Sequence, residues 1–521
     1  MTGHQYRTSR TRFAAQEMLS PAEERFERWR HTLGLFLGPL AAAVLYAAPM
    51  PSLAPPAHRL AAVLGWVVTW WVTEPIPIPI TALIGALLCV VSGIAPAKAV
   101  FALFADPIIF LFLGSFILAE AMAVHGLDRR FAFRILTLKW VGNSTGRILF
   151  AYGAITAGLS AWISNTATAA MMFPIGLGII YAMADMMEKQ RGADIHPARL
   201  RYATGMMLMA AYAASVGGIA TPVGTPPNLI GIGMIEKLVK VKIPFFQWML
   251  FAIPIMITMF AVLYVILYWL YKPEVASIEG SREFVQGELQ QLGAWSRGEK
   301  NALIAFLITV VLWVTPGFLA VFFGTADPLF KSYNEILPEA AAAIIGAALL
   351  FVLPVNWKQR QFTITWKQAS RIDWGTLLLF GGGLTLGNLM FETKLADAIG
   401  SGILTLSGTT SQWGITFVAI VMAAAITEVT SNTAAANMVV PVVISLSFAA
   451  GVNPIPPAIG ASLGASLAFM LPVSTPPNAI VYGSGMVPIT KMIRAGIFFD
   501  LLSIIIIWTG LRIMLPLVGL G

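Results

Sequence analysis

Apolar blocks about as long as a membrane crossing recur along this chain from about Leu33 to the C-terminus. Of its 521 residues, 57% are hydrophobic and only 11% are charged, and the mean hydropathy is +0.78. A soluble domain usually carries about 25% charged residues, and one helical crossing takes about 20 apolar residues. The composition therefore predicts an all-α polytopic membrane protein whose main solvent is the lipid bilayer.

Many basic residues lie in short segments between the apolar blocks, and the net charge is +8. They are interpreted as topology signals rather than as a surface for nucleic acid. The positive-inside rule predicts a protein of the cell (inner) membrane with a cytoplasmic N-terminal tail, residues 1–31. The same rule places four connections in the cytoplasm, at 129–147, 189–201, 358–371 and 491–494. Lys237, Lys240 and Lys242 would then lie outside, which counts modestly against this orientation.

Two apolar blocks are long enough for two crossings each, but polar residues interrupt both in the middle. The interruptions are Ser164, Asn165 and Thr166 in the block 148–187, and Ser431, Asn432 and Thr433 in the block 413–449. A block of this kind is expected to turn back on itself as a re-entrant hairpin.

Two further apolar spans are interrupted by proline-rich segments that share the letters Thr-Pro-Pro-Asn. The prolines are Pro222, Pro226 and Pro227 in the span 202–235, and Pro472, Pro476 and Pro477 in the span 456–486. Proline removes a backbone donor and blocks the helical ladder, so both spans are predicted to be broken helices.

The two halves of the chain repeat one plan. Ser164 and Ser431 are 267 residues apart (431 − 164), and so are Pro174 and Pro441 (441 − 174). The parts are a first half at 32–271, a polar linker at 272–300 and a second half at 301–521. Counting crossings predicts 11 transmembrane helices and two re-entrant hairpins. The first hairpin would enter from inside and the second from outside, so the repeats are predicted to be inverted.

Irregular backbone at membrane depth survives only where it lines a protected or watered cavity, so these interruptions predict one shared cavity. Helix N-termini favour anions, and Ser, Thr and Asn side chains can donate hydrogen bonds to a carboxylate. Carbonyl, hydroxyl and amide oxygens can replace the water around a sodium ion. No lysine or arginine lies within the motifs. The pattern therefore favours a secondary transporter for small anions, and the absence of Walker A and HExxH motifs argues against an ATP-driven pump or an enzyme.

Four other features have a structural explanation beside a functional one. Glu428, close to the second triplet, is expected to support an ion site or to make a structural hydrogen bond, and both interpretations stay open. Asp106 and Asp373 start spans and are expected to be helix caps. The glycines 381–383 are expected to allow close helix packing, because no P-loop lysine follows them.

At these motifs the sequence resembles the divalent anion/sodium symporter family, whose hallmarks are two Ser-Asn-Thr hairpins and two broken helices containing Thr-Pro-Pro. Residues 465–481 look like the family signature throughout. The resemblance implies scaffold and transport domains that work by an elevator motion, a homodimer, no organic cofactor and Na⁺ as the coupling ion.

The resemblance also implies binding residues, carried over by motif. Substrate would contact Ser164, Asn165, Thr225, Ser431, Asn432, Thr433, Thr475 and Pro476. One sodium ion would be bound by Ser160, Ser164, Asn165 and Gly224, and the other by Thr427, Ser431, Asn432 and Ser474.

The transport mode and the anion stay open at this stage. Sodium-coupled symport of a C4-dicarboxylate such as succinate, malate or fumarate is favoured. A sodium-independent dicarboxylate exchanger and a sulfate or citrate carrier are alternatives, and an anion channel is a more remote one.

Overall fold

The structure is a computed structural model that describes residues 21–191, 195–324, 327–407 and 410–521. The residues described are almost entirely helical, as predicted. The first half contains α1 (Pro21–Ala47), α2 (Pro55–Thr73), α3 (Ile78–Val91), α4 (Ala97–Ala102), α5 (Pro107–His125), α6 (Leu127–Leu136), α7 (Thr145–Ser160), α8 (Asn165–Arg191), α9 (Arg201–Gly218), α10 (Pro226–Met234) and α11 (Phe245–Leu270).

The remainder of the chain follows the same pattern after a short linker helix. Its helices are α12 (Ser281–Gln291), α13 (Arg297–Phe323), α14 (Pro328–Ile336), α15 (Glu339–Val352), α16 (Trp366–Ala369), α17 (Trp374–Glu392), α18 (Leu395–Ser407), α19 (Gln412–Thr427), α20 (Asn432–Ala449), α21 (Ile455–Gly464), α22 (Pro476–Tyr482) and α23 (Ile489–Leu517). Two short strands, β1 (Pro354–Asn356) and β2 (Gln361–Phe362), form an antiparallel pair between α15 and α16.

Seven helical segments in the described residues are long and apolar enough to cross a membrane. They are Ala97–His125, Asn165–Gln190, Phe245–Leu270, Arg297–Ala320, Trp374–Glu392, Asn432–Ala449 and Ile489–Leu517. The pair α14 and α15, bent by 52°, would make an eighth span. The predicted total of 11 crossings therefore stays a prediction.

Helix α1 begins at Pro21, ahead of the predicted first span near residue 32. Residues 21–31 of the predicted tail are thus helical, whereas residues 1–20 lie outside the described residues. Arg30 bonds to Glu27 at 2.7 Å, and His31 lies 3.4 Å from the same carboxylate. Pairs three and four residues apart stabilise a helix beyond its apolar run, which explains the longer element.

The hairpin helices keep the offset read from the sequence. Helix α7 spans 145–160 and α19 spans 412–427, so both of their ends differ by 267 residues (412 − 145 and 427 − 160). Contacts between the halves are also reciprocal: α5 packs on α15 and α17 on α3. Likewise α10 packs on α20 and α21, while α22 packs on α8 and α9. The second piece of each broken helix therefore lies within the opposite half.

The linker is anchored to the first half by a buried ion pair. Arg130 on α6 donates to Glu299 at 2.5 and 3.2 Å, and both side chains are 4% exposed. The same guanidinium donates to the carbonyl oxygens of Gly293 at 2.9 Å and Leu292 at 3.1 Å. Since an unpaired buried charge is costly, this network fixes α6 against the start of α13.

The helix-cap predictions are confirmed. Asp106 accepts a hydrogen bond from the N–H of Ile108 at 3.1 Å, and Asp373 accepts one from the N–H of Thr376 at 3.0 Å. The glycines 381–383 lie within α17, close to other helices, and do not form a loop.

Candidate functional site

Both Ser-Asn-Thr triplets lie where a hairpin turns and its second helix begins. Ser164 precedes α8, and its Oγ accepts a hydrogen bond from the N–H of Ala167 at 3.2 Å. Ser431 precedes α20, and its Oγ accepts one from the N–H of Ala434, also at 3.2 Å. A serine that caps a helix in this way holds the turn, while the next two N–H groups have no partner inside the helix.

A hydroxyl–amide bond closes each hairpin tip. Ser160 donates to Oδ1 of Asn165 at 2.7 Å, and Thr427 donates to Oδ1 of Asn432 at 2.8 Å. Ser160 and Thr427 are fully buried. Two predicted sodium ligands are thereby brought together in each half.

The break between α9 and α10 is held open by Asn228. Its amide N–H groups donate to the carbonyl oxygens of Gly218 at 2.9 Å and Thr221 at 2.8 Å. The Gly218 carbonyl lies at the C-terminal end of α9, and the Thr221 carbonyl lies in the irregular segment that follows. The asparagine of the Thr-Pro-Pro-Asn motif is therefore a structural clamp.

The second broken helix has the same clamp. Asn478 donates to the carbonyl oxygens of Ala468 and Leu471, both at 2.9 Å. All three residues are 250 positions after their counterparts in the first half, for example Asn228 and Asn478 (478 − 228). The sequence-level repeat thus extends to individual hydrogen bonds.

Backbone oxygens crowd around Gly224 in the first half. A Cβ at this position would lie 2.4 Å from the carbonyl oxygen of Gly218 and 3.0 Å from that of Ala161. A Cβ at Gly218 would in turn lie 2.4 Å from Oδ1 of Asn165. Two glycines therefore allow carbonyl and amide oxygens to converge, which is the ligand chemistry of a hard cation.

The second half uses side chains where the first half uses backbone. Glu428 accepts hydrogen bonds from the N–H groups of Phe469 at 2.8 Å and Met470 at 3.0 Å through one carboxylate oxygen. Ser474 donates to the other oxygen at 2.8 Å and lies 3.0 Å from the carbonyl oxygen of Glu428. Glu428 thus ties the hairpin tip to the broken helix, which is the structural hydrogen bonding considered for it.

The tips and the breaks meet at one cavity of about 670 Å³. All eight predicted substrate residues line it: Ser164, Asn165, Thr225, Ser431, Asn432, Thr433, Thr475 and Pro476. The predicted sodium residues Gly224 and Ser474 also reach the cavity, whereas Ser160 and Thr427 are buried behind the tips. The structure therefore brings the sequence-predicted residues together.

Helix N-termini converge on this cavity. Residues at the start of α8, α10, α20 and α22 line it, and so do residues at the start of α3 and α17. The starts of α8 and α20 present unpaired N–H groups, whereas α10 and α22 each begin with two prolines, which have no N–H. All of these starts present the positive end of the peptide dipoles. Together they make a cavity suited to an anion without a lysine in the motifs.

Thr475 and Pro476 also line a second cavity, of about 760 Å³. Glu27, Arg30 and Glu74 line this second cavity as well. The start of α22 is therefore a wall between two cavities.

Three charged residues of the first cavity were missed as site residues by sequence reasoning. They are Glu120 on α5 and Arg371 and Asp373 before α17. Arg371 is the last residue of the connection 358–371, which the sequence predicts to lie in the cytoplasm. Its position two residues before a helix cap was the available signal, but only the packing of α17 against α3 brings it to the cavity.

Long apolar helices, two hairpins and two broken helices around an anion-suited cavity define a multi-pass membrane transporter. The family model described as the sodium:sulfate symporter transmembrane region matches residues 30–518. The chain belongs to this family, that of the divalent anion/sodium symporters.

Similar proteins include two curated relatives with the name sodium-dependent dicarboxylate transporter SdcS. The one from Staphylococcus saprophyticus is 35% identical over 488 residues, which cover 93% of this chain and 91% of the relative. The one from Staphylococcus aureus is 34% identical over 493 residues, with the same coverage.

Two solved structures share the fold at low sequence identity. The YdaH transporter of Alcanivorax borkumensis has a TM-score of 0.53 and 14% identity, covering 95% of this chain and 98% of that one. MtrF of Neisseria gonorrhoeae, described as an antimetabolite efflux pump, has a TM-score of 0.54 and 13% identity, covering 82% of this chain and 85% of that one.

Proposed function

We propose that this protein is a sodium-coupled symporter of C4-dicarboxylates such as succinate, malate and fumarate. The observation that carries the proposal is the convergence of helix N-termini and both Ser-Asn-Thr tips on one cavity. Neutral donors can bind a dianion there if cations bound nearby compensate its charge. The names of the two relatives, which specify sodium and dicarboxylates, support the same assignment.

The substrate carboxylates would each face one half of the site. Ser164, Asn165 and Thr225 would donate to one carboxylate from the first half. The donors from the second half would be Ser431, Asn432, Thr433 and Thr475, with Pro476 in contact. Two donor sets on opposed hairpins match a molecule with a carboxylate at each end.

Two sodium ions would bind beside the substrate, one in each half. The first site would comprise Ser160, Ser164, Asn165 and Gly224, where backbone oxygens already crowd around the glycine. The second would comprise Thr427, Ser431, Asn432 and Ser474. Because these residues also hold the tips that bind the dianion, occupancy by sodium would order the substrate site, and this is the proposed origin of coupling.

The cavity lies between two groups of helices, which supports an elevator motion. The hairpins and broken helices would form a transport domain, and α2, α3, α5, α13, α15 and α17 would belong to the scaffold. Thr475 and Pro476, at the wall between the two cavities, would move with the transport domain. We also propose that the protein is a homodimer in the cell (inner) membrane and that its two repeats are inverted. Its N-terminus would be cytoplasmic, so the cavity at Arg371 would open to the cytoplasm.

Uptake of radiolabelled succinate into proteoliposomes tests the proposal. Uptake that needs an inward sodium gradient but no internal succinate is the expected result. Uptake that needs only internal succinate would identify an exchanger, and a lack of uptake in both conditions would direct the assay to sulfate and citrate. Single-channel current would contradict a carrier altogether.

A further inference from the structure

The cavity has one basic residue among the described residues that line it, Arg371. The other described residues that line it are neutral, except for the acids Glu120 and Asp373. Any attraction of a dianion by a fixed positive side chain of the cavity must therefore come from Arg371.

The backbone at Arg371 is held on both sides. The preceding helix, α16, begins with a capping box between Thr365 and Gln368. The N–H of Arg371 donates to the carbonyl oxygen of Gln368 at 3.0 Å, and Asp373 caps α17 two residues later. The side chain of Arg371 therefore extends from a fixed backbone position at the edge of the cavity.

The charge of Arg371 is not used by the protein itself. The side chain is exposed, and in the described part of the chain it has no ion pair within 4.0 Å and no side-chain hydrogen bond. The nearby carboxylate of Asp373 instead accepts from the N–H and the hydroxyl of Thr376, at 3.0 and 2.5 Å. Arg130 shows the contrast, since its guanidinium is fully occupied by Glu299 and backbone carbonyls.

We propose that Arg371 captures the dianion at the mouth of the cavity and favours doubly over singly charged substrates. This inference rests on the proposed function of the same site. The attraction doubles with the charge of the substrate and acts over the Debye length, which is about 8 Å at physiological salt. Arg371 therefore lowers KM through encounter and retention, and it does not take part in the conformational change.

The sequence repeat predicts that Arg371 acts at one face of the membrane only. The residue 267 positions earlier (371 − 267) is Phe104, which packs beside Gly381 on α17. The first half thus offers an apolar residue where the second half offers a cation. Only the membrane face that bears the connection before α17 should depend on Arg371.

Transport kinetics in vesicles of both orientations test the inference with three variants. R371Q removes the charge at similar size, and R371K keeps it. K367Q is the matched control, because Lys367 is exposed on α16 in the same connection but does not line the cavity.

For R371Q we expect a roughly fivefold higher KM for succinate on one face only, with kcat nearly unchanged, because one lost charge pair in a watered rim is worth about 1 kcal/mol. R371K and K367Q should behave as the wild type. Raising ionic strength with choline chloride should shrink the difference between the wild type and R371Q.

An unchanged KM for R371Q on both faces, or an equal increase on both, would overturn the inference. An increase that R371K shares would also overturn it, because that would assign the effect to shape rather than charge. If the wild type carries sulfate instead of succinate, the proposed substrate is wrong. The role of Arg371 is then decided by whether R371Q raises the KM for sulfate on one face only.

Discussion

The hydroxyl of Ser160 donates a 2.7 Å hydrogen bond to the amide oxygen of Asn165, across the tip of the first hairpin. Thr427 and Asn432 make the same bond at 2.8 Å in the second hairpin. Each bond fixes the orientation of an asparagine that is proposed to bind both sodium and substrate. The two functions of the site are thereby joined in one residue per half.

Removing these hydroxyls should weaken the binding of sodium. S160A and T427A each lose a buried hydrogen bond worth about 1 kcal/mol, so we expect the sodium concentration for half-maximal uptake to rise about fivefold. T427S keeps the hydroxyl and is the matched control, with an expected change of less than about twofold. Sodium titrations of succinate uptake measure this, and equal behaviour of T427S and T427A would contradict the role of the hydroxyl.

Gly224 should not tolerate even one additional carbon. In G224A the new Cβ would lie 2.4 Å from a backbone oxygen, which cannot move aside as a flexible side chain can. Overpacking of this kind costs about 1–3 kcal/mol, so sodium-dependent uptake should fall about tenfold or more. G158A is the control in the same half, since no described residue comes within 4 Å of a Cβ at that position. Normal uptake by G224A would disprove the proposed crowding of oxygens around the first ion.

Much of this site could be predicted from sequence because its motifs are local. The turns at Ser164 and Ser431 follow from a polar cap inside an apolar block, and the breaks before Pro226 and Pro476 follow from missing backbone donors. The 267-residue offset then paired the halves without any knowledge of the packing.

The remainder depends on contacts that a sequence pattern does not contain. Arg371 reaches the cavity because α17 packs on α3, far away in sequence, and Glu428 meets Ser474 across a separation of 46 residues. The extension of α1 back to Pro21 was also missed, because a charged segment carries no apolar period to reveal a helix.

The asparagine clamps should contribute stability rather than chemistry. N478A loses two hydrogen bonds of 2.9 Å to buried carbonyls, so we expect a loss of about 2 kcal/mol and a lower melting temperature of the purified protein. N388A is the control, because among the described residues the Asn388 side chain bonds only to Glu392, on the exposed side of α17. A melting temperature equal to that of the wild type would mean that the break in the helix is held by other contacts.

Glu428 should act as an acceptor and not through its charge. In E428Q the amide oxygen can still accept from Phe469 and Met470, so sodium affinity should stay within about threefold of the wild type. E428A leaves both N–H groups unpaired and should lose most uptake. A double-mutant cycle with S474A should show coupling of about 0.5–3 kcal/mol because the two side chains are bonded. Equal loss of sodium affinity in E428Q and E428A would instead assign Glu428 to the ion site through its charge.

The central claim is that sodium and a dianion are coupled through one cavity, and reciprocal flux tests it most directly. Coupling is mutual, so an inward succinate gradient should drive uptake of radioactive sodium into proteoliposomes that start with equal sodium on both sides. We predict such uptake for the wild type, its loss in G224A and its retention in G158A. Succinate transport by the wild type without any sodium movement would contradict the account.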